Sequence, residues 1–205
     1  MSAEQRAYEV LRHEGPLELR SYPAYLVASV TVPAEGYNEA TYAGFNALAG
    51  YIFGNNAEAG SIPMTTPVTA SRAPGTRIAM TAPVTSERLR SDELKSASPL
   101  CTLACAGEYT VRFTMPSHYT TLEDLPVPND PRVTLEAVPG HLAIAARFSG
   151  RLDEKTLADA RTRLEAWAEA EGFVIVGEPE AAQYDAPWKP GFVRHNEVLI
   201  PVTAS

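Results

Sequence analysis

The chain has 205 residues and a mass of 22.1 kDa, which is enough to bury a sizeable core in one large domain or two small ones. Its 25 acidic residues against 17 lysines and arginines give a formal charge of −8, which argues against nucleic acid or an anionic membrane as the main partner. Residues 1–12 lack an apolar run of signal-peptide length, and no run elsewhere could span a bilayer, so the sequence predicts a cytoplasmic protein.

The first part of the chain predicts three strands followed by a helix. Alternating apolar and polar residues favour strands at 8–12, 17–22 and 25–32, with breaks at Pro23 and from Pro33 to Gly36. The apolar period then lengthens to that of a helix, and this first helix is predicted over 38–53.

The ends and the surface of this first helix are also readable. Asn38 is a plausible N-cap and Gly54 a C-terminal stop. Small residues cover much of the helix and would let a sheet or a flat ligand come close, and we favour packing against the sheet. These small residues are Ala40, Ala43, Gly44, Ala47, Ala49 and Gly50.

An eight-residue motif occurs twice, 16 positions apart, as Ile-Pro-Met-Thr-Thr-Pro-Val-Thr at 62–69 and Ile-Ala-Met-Thr-Ala-Pro-Val-Thr at 78–85. The two copies predict a β-hairpin, because both are rich in strand-forming residues and Pro74-Gly75 between them suits a tight turn. The prolines within the copies cannot donate to a ladder, so each is expected at a sheet edge, a strand end or a bulge. Such a hairpin either lines a pocket or only marks the fold.

The rest of the chain predicts a polar loop, further strands and a second helix. Thr120 and Glu123 have the spacing of a capping box for a single helical turn. The second helix is predicted to begin near Asp153 and to end at Gly172. The loop is predicted at 87–98, and the strands at 100–105, 109–115, 133–137, 141–148, 173–176, 182–185 and 197–202.

A second repeat relates the two parts of the chain at an offset of 116 positions. Residues 19–28 align with residues 135–144, which places Pro23 opposite Pro139. In both copies two strands lead through a break into a helix. The repeat predicts an α+β fold, with residues 1–205 as a single domain whose two pseudo-equivalent halves close one sheet onto itself and so remove edge strands.

These residues resemble the SOUL, or haem-binding protein, family. The resemblance implies a distorted antiparallel β-barrel flanked by two α-helices, similar to the effector-binding modules of gyrase-inhibitor-like proteins. It rests on Tyr8-Glu9-Val10-Leu11, Tyr51-Ile52-Phe53-Gly54-Asn55-Asn56, the two Met-Thr-x-Pro-Val copies, residues 109–116, Tyr184-Asp185-x-Pro187-x-Lys189-Pro190 and Asn196-Glu197-Val198.

The resemblance implies non-enzymatic binding of haem or a related tetrapyrrole in an apolar groove beside the first helix, in a carrier, buffer or sensor role. A porphyrin needs a flat apolar slot with basic residues at the rim for its carboxylates. Of the positions that are basic in one animal member, two are Tyr42 and Gly50 here, and only Lys189 keeps a charge. The site residues implied are Tyr42, Phe45, Leu48, Ala49, Met64, Met80 and Lys189.

An iron ligand is not evident in the sequence. The strand position that holds a histidine in one animal member aligns with Ser21, which leaves nearby His13 as a weak candidate. Met64 and Met80 could each offer a thioether sulfur, although methionine in an apolar strand usually fills the core. Haem is therefore expected to bind with weak axial ligation or none.

Two other functions remain open at this point. The first is a monomeric or weakly oligomeric module that binds or sequesters another flat apolar molecule, as the gyrase-inhibitor-like resemblance suggests. The second is an enzyme, which we do not expect because the sequence offers no nucleophile-and-base pair or paired carboxylates at a usable spacing. Shielded acids such as Glu39 and Glu197 would be the first candidates, and Glu197 could equally bond the backbone or an arginine at the barrel seam.

Overall fold

The computed structural model describes residues 4–57, 78, 81–82, 84–88, 107–150, 153–184, 190, 192 and 194–204. Two helices lie among its strands: α1 (Tyr37–Ile52) and α2 (Glu154–Glu171). The strands are β1 (Glu4–Gln5), β2 (Glu9–Glu14), β3 (Leu17–Tyr22), β4 (Tyr25–Ala34), β5 (Asn56–Ala57), β6 (Thr81–Ala82), β7 (Val84–Arg88), β8 (Gly107–Thr114), β9 (Val127–Pro128), β10 (Thr134–Val138), β11 (His141–Ser149), β12 (Phe173–Ile175), β13 (Glu180–Gln183) and β14 (His195–Ala204).

Ten strands form one antiparallel sheet with the hydrogen-bonded order β10-β4-β8-β7-β13-β14-β11-β3-β2, and β12 pairs with β14. The sheet is strongly curved, because two-residue connections tie β3 to β4 and β10 to β11, which lie toward its opposite ends. The predicted α+β class, with an antiparallel sheet and two helices, is confirmed. The described strands nevertheless end at β10 and β2, so the barrel is open and the expected loss of edge strands is wrong.

The offset of 116 positions between the two halves is preserved in the strand register. Tyr22 pairs with His141, and Val138 pairs with Tyr25. Tyr22 and Val138 are 116 positions apart, and so are Tyr25 and His141, so the repeat converts the first pair into the second. The sequence repeat is therefore a structural repeat, and its strands pair across the two halves rather than within each one.

Helix α1 packs against β4, β8 and β7 through one flank. Its N-cap is Gly36, so the prediction that Asn38 caps the helix is wrong by two residues. Gly54 follows its end with φ of 109°, a left-handed conformation that glycine adopts without strain and that suits a helix stop. The core beneath the helix includes fully buried Leu48 and Ile52.

Gly44 sets the distance between α1 and the sheet. A Cβ atom added at this position would lie 2.6 Å from Cβ and Cγ2 of Val111 on β8. Gly50, by contrast, would meet only Asn55 at 3.9 Å or more. The expectation that the small residues of α1 let the sheet approach is therefore confirmed at Gly44.

Helix α2 covers the second half of the sheet. It begins and ends as predicted, since the Asp153 carboxylate accepts a 2.8 Å hydrogen bond from the Thr156 amide and Gly172 closes the helix with φ of 75°. Leu164 and Trp167 are buried against β11 and β14. This second core is separate from the one beneath α1.

Several predicted boundaries shift, and part of the repeated motif cannot be compared. Strand β4 continues through Pro33, which pairs with Glu108, and the capping box uses Thr121 and Asp124 instead of the residues one position earlier. The predicted loop at 87–98 begins later, because β7 runs to Arg88. The first copy of the motif and residues 100–105 lie outside the described residues.

Candidate functional site

One flank of α1 carries apolar side chains that are exposed at its two ends and more covered between them. Tyr42 is 72% exposed, and Phe53, directly after the helix, is 55% exposed. Phe45 lies between them along the helix, half-buried, with its ring 5.4 Å from that of Phe113. Ala49 completes this stripe at the helical spacing and is nearly covered. The four residues form what we call the α1 stripe.

Of the other predicted ligand contacts, only Leu48 is among the described residues, and it does not join the α1 stripe. Leu48 is fully buried and fills the core between α1 and the sheet, so its side chain does not reach the surface. Met64, Met80 and Lys189 lie outside the described residues. Ile78, the first residue of the second copy of the repeated motif, is described, and its amide donates a 2.7 Å hydrogen bond to the Ile52 carbonyl at the end of α1.

His13 lies on a different part of the molecule from the α1 stripe. It is exposed on the edge strand β2, where it pairs with Glu18. The next residue, Glu14, accepts a 2.9 Å hydrogen bond from Nε1 of Trp167, which places β2 beside α2. Within the described residues no cluster of three or more histidine, cysteine or acidic side chains could hold a metal ion.

The sheet surface opposite the helices carries a buried polar network. We call this surface the inner face; it bears Arg20, Ser29, Arg112, Glu180 and Glu197. Their orientation follows from the alternation of each strand, since on β4 Ala28 and Val30 face α1.

Glu197 is the centre of the network and is fully buried. Nη1 and Nη2 of Arg20 donate bonds of 2.7 and 2.9 Å to its two carboxylate oxygens, in the bidentate arrangement typical of strong arginine–carboxylate pairs. The Tyr184 hydroxyl donates a third bond of 2.7 Å, and Nε of Arg147 a fourth of 3.3 Å. His195 Nε2 lies 3.0 Å from the same carboxylate, and its ring stacks on that of Tyr184.

These contacts fix the charge of Glu197. Burial opposes ionisation, but the hydrogen bonds and the positive charge of Arg20 outweigh it and lower the pKa of Glu197 to about 2. Burial raises the pKa of Tyr184. A carboxylate held this way stays ionised near neutral pH, and the pairing of Glu197 with an arginine, one of the contacts expected from the sequence, is confirmed.

A second set of contacts lies where the two halves meet on the inner face. The buried Arg6, between β1 and β2, places its guanidinium carbon 4.4 Å from the centroid of Tyr22 and 5.0 Å from that of Tyr25. Its Nη1 donates a 2.9 Å bond to the Tyr25 hydroxyl and lies 3.9 Å from Oε2 of Glu180. The ring of His141 stacks on Tyr22.

Sequence reasoning missed Arg6 and Arg20. Arg20 was a charged residue at an alternating position of β3, a pattern that also fits a solvated face. No local pattern distinguished Arg20 from a solvated charge, because its partner Glu197 is 177 positions away in the sequence. No sequence signal pointed to Arg6.

A profile of the SOUL heme-binding protein family matches residues 3–201, nearly the whole chain. The chain belongs to the SOUL heme-binding protein family. Membership agrees with the predicted resemblance and supports a haem or tetrapyrrole as the small-molecule partner. A search of curated proteins finds no match. Within the described residues of this SOUL protein, no helix is both long and apolar enough to cross a membrane.

Solved structures similar to this SOUL protein share its fold at low sequence identity. The C-terminal domain of EcmrR matches with a TM-score of 0.62 and 13% identity, covering 97% of this chain and 99% of that one. A cryo-EM structure of the EcmrR–DNA complex matches with a TM-score of 0.61 and 13% identity, over 92% of this chain and 57% of that one. A hydrolase from Listeria innocua matches with a TM-score of 0.55 and 12% identity, over 94% of both chains.

Proposed function

We propose that this SOUL protein binds haem or a related tetrapyrrole, without catalysis, in an apolar groove that includes the α1 stripe. The role would be that of a carrier, buffer or sensor. The observation that carries the proposal is the exposed aromatic surface at α1, with Tyr42 at 72% and Phe53 at 55% exposure, in a chain that belongs to the SOUL heme-binding protein family. The face of a porphyrin is flat and apolar. It can therefore cover the aromatic rings of the α1 stripe without needing polar partners there.

The positions of three described histidines, away from α1, favour binding without a strong axial ligand. His141 and His195 are on the inner face, on the opposite side of the sheet from α1, and His13 is beside α2. The fourth histidine, His118, is exposed beside Tyr119, which packs against the core beneath α1. The haem iron would then depend on His118, on ligands outside the described residues or on water, and affinity would come mainly from apolar contact and from charge at the rim. Lys189 remains the rim charge that the resemblance supplies.

Titration of the purified protein with haemin, followed at the Soret band, tests this function. We expect a saturable spectral change at micromolar protein that exceeds the change produced by an equal concentration of a non-binding control protein. Tyr42→Ala and Phe53→Ala should each weaken binding roughly three- to tenfold, from the loss of apolar and aromatic contact. Val174→Ala, at an exposed residue on β12, is the matched control and should leave the affinity unchanged. An absence of saturation would refute the proposal.

Three further variants test the charge at the haem rim and the ligation of the iron separately. Lys189→Glu should weaken haem binding, whereas Lys155→Glu, at an exposed position on α2, should not. Both variants change the net charge by the same amount, so a difference between them reports a local charge at the site. His13→Ala should leave the Soret maximum in place. A shifted maximum in His13→Ala would make His13 an iron ligand and would place the haem at β2 rather than at α1.

A further inference from the structure

The inner face holds a box that is shaped for a flat cation and is filled by the protein itself. The Arg6 guanidinium lies against the rings of Tyr22 and Tyr25, at 4.4 and 5.0 Å, within the range of cation–π attraction. The Glu180 carboxylate is 3.9 Å from Nη1 and supplies the opposite charge. Two aromatic rings and one carboxylate around a guanidinium are the elements of an organic-cation site.

Arg6 is a poor fit for this box in one respect. Its side chain is only 4% exposed, yet its Nε–H has no hydrogen-bond partner among the described residues. A buried donor without a partner loses its hydration and gains no bond in return, which costs stability. A free cation that can turn to satisfy all of its donors would avoid this cost.

Among the described residues, the segment that carries Arg6 is held by few contacts other than those of Arg6 itself. Glu4 and Gln5 are exposed, and β1 pairs with β6 over only these two residues. Beyond that pairing, the Glu4 carboxylate accepts an exposed bond of 3.2 Å from the Ser117 amide. Residues 4–6, which we call the N-terminal arm, can therefore leave the inner face without disturbing the ten-stranded sheet, of which β1 is not a member.

The charges of the inner face favour a cation once the arm has left. The described carboxylates outnumber the guanidinium groups even with Arg6 in place: the acids are Glu18, Glu87, Glu136, Glu180 and Glu197, and the bases are Arg6, Arg20, Arg112 and Arg147. Arg20 forms an ion pair with Glu197, and Arg112 forms one with Glu87 at 2.6 Å. Arg112 also interacts electrostatically with Glu180, but Arg6 is the cation closest to that carboxylate in the described contacts.

We propose that the box formed by Tyr22, Tyr25 and Glu180 binds small organic cations with a guanidinium or amidinium head, and that Arg6 occupies it as an intramolecular competitor. The site is on the opposite side of the sheet from the α1 stripe and does not depend on haem binding. A ligand enters only when the arm is displaced, so its apparent affinity for the wild-type protein is reduced by the fraction of molecules with the arm released.

The test uses Arg6→Ala with methylguanidinium as the probe and isothermal titration calorimetry as the readout. We expect saturable millimolar binding to Arg6→Ala, at least about tenfold tighter than to the wild type, because the competitor is gone. Methylurea has nearly the same shape without the charge and should not bind. Arg132→Ala, which removes an exposed guanidinium paired with Asp130, is the matched control and should behave as the wild type.

Further variants assign the binding to the box. Arg6→Ala combined with Glu180→Gln, or with Tyr25→Leu, should lose the binding gained by Arg6→Ala alone. Failure of a natively folded Arg6→Ala to bind methylguanidinium, or equal binding by Arg132→Ala, overturns the proposal. Circular dichroism checks the fold, and Arg6→Gln replaces Arg6→Ala if that variant is not native.

A measurement on the wild-type protein tests the displacement of the N-terminal arm independently of the variants. Hydrogen exchange at the backbone amides of residues 5–8 should become faster, with saturation, as methylguanidinium is added, because the ligand holds the arm away from the inner face. Methylurea at the same concentrations should leave the exchange unchanged. Exchange that is insensitive to methylguanidinium, or equally sensitive to both compounds, contradicts displacement of the arm.

Discussion

Glu197→Gln tests whether the network on the inner face is held by charge. The substitution keeps the shape of the side chain and removes the negative charge that Arg20 contacts through two hydrogen bonds. Both side chains are fully buried, so water cannot replace the lost partner. Arg20 keeps its bond to Glu18, its contact with the Tyr8 ring and a neutral amide oxygen as acceptor, but no fully buried negative charge faces it, and its contact with the Tyr22 hydroxyl is 3.2 Å long.

The expected loss of stability is large for a single substitution. Removal of one partner from a buried ion pair typically costs about 3–5 kcal/mol, because the remaining charge stays buried without compensation. The lowered pKa of Glu197, about 2 against an ordinary value of 4.5, gives a similar figure of roughly 3 kcal/mol. For a chain of this length that loss lowers the melting temperature by on the order of 10 °C.

Urea denaturation at pH 7, followed by circular dichroism, measures this loss. The matched control is Asp130→Asn, which removes the acid from the Arg132–Asp130 pair at the surface, where the Arg132 side chain is 67% exposed. Exposed pairs contribute far less than buried ones, because water and salt screen their charges. If Glu197→Gln costs no more than Asp130→Asn, the reasoning about buried charge is refuted.

Three further predictions concern pH, packing and capping. Because the folded pKa of Glu197 is depressed, its contribution is complete above about pH 4.5 and is lost as the pH falls toward 2; the acid unfolding of Glu197→Gln, followed by tyrosine and tryptophan fluorescence, should therefore lack this component. Gly44→Ala should destabilise by about 1–3 kcal/mol in urea denaturation, because its Cβ would overlap Val111, whereas Gly50→Ala on the same helix should be neutral or stabilise by up to about 1 kcal/mol. Asp153→Ala should cost about 1 kcal/mol by removing the N-cap of α2, and an unchanged denaturation midpoint would contradict that role.

The elements of the fold were predictable where the local pattern is strong. Strand β3 matches its predicted range at both ends, and α2 is capped by Asp153 and Gly172, the residues where it was expected to begin and end. The weak sequence repeat at an offset of 116 positions was also confirmed, because the strand pairs of the two halves have the same register. Alternation, capping and glycine stops are local signals, which is why they could be read without a structure.

The polar network was less predictable, because its partners are distant in sequence. Arg20 and Glu197 are 177 positions apart, and no local pattern links them. Glu197 was expected to bond backbone or an arginine, but that arginine could not be chosen. Arg6 was still harder to anticipate, since its burial depends on an arm that crosses the inner face. The helix that carries the α1 stripe was predictable from its periodicity, whereas its ligand contacts were implied only by the resemblance, and one of them, Leu48, is fully buried in the core.

The exchange of strands between the two halves has a consequence for how the chain folds. Each of β3 and β4 has one of its two partners in the later half; Ser29 on β4, for example, contacts the backbone of Thr134, 105 positions away. During synthesis these early strands wait with an unpaired edge until β10 and β11 have left the ribosome. Contacts over such long separations slow folding and leave intermediates prone to association. Neither half is therefore expected to complete its native hydrogen bonds as a separate fragment, and the two fragments would have to be combined to do so.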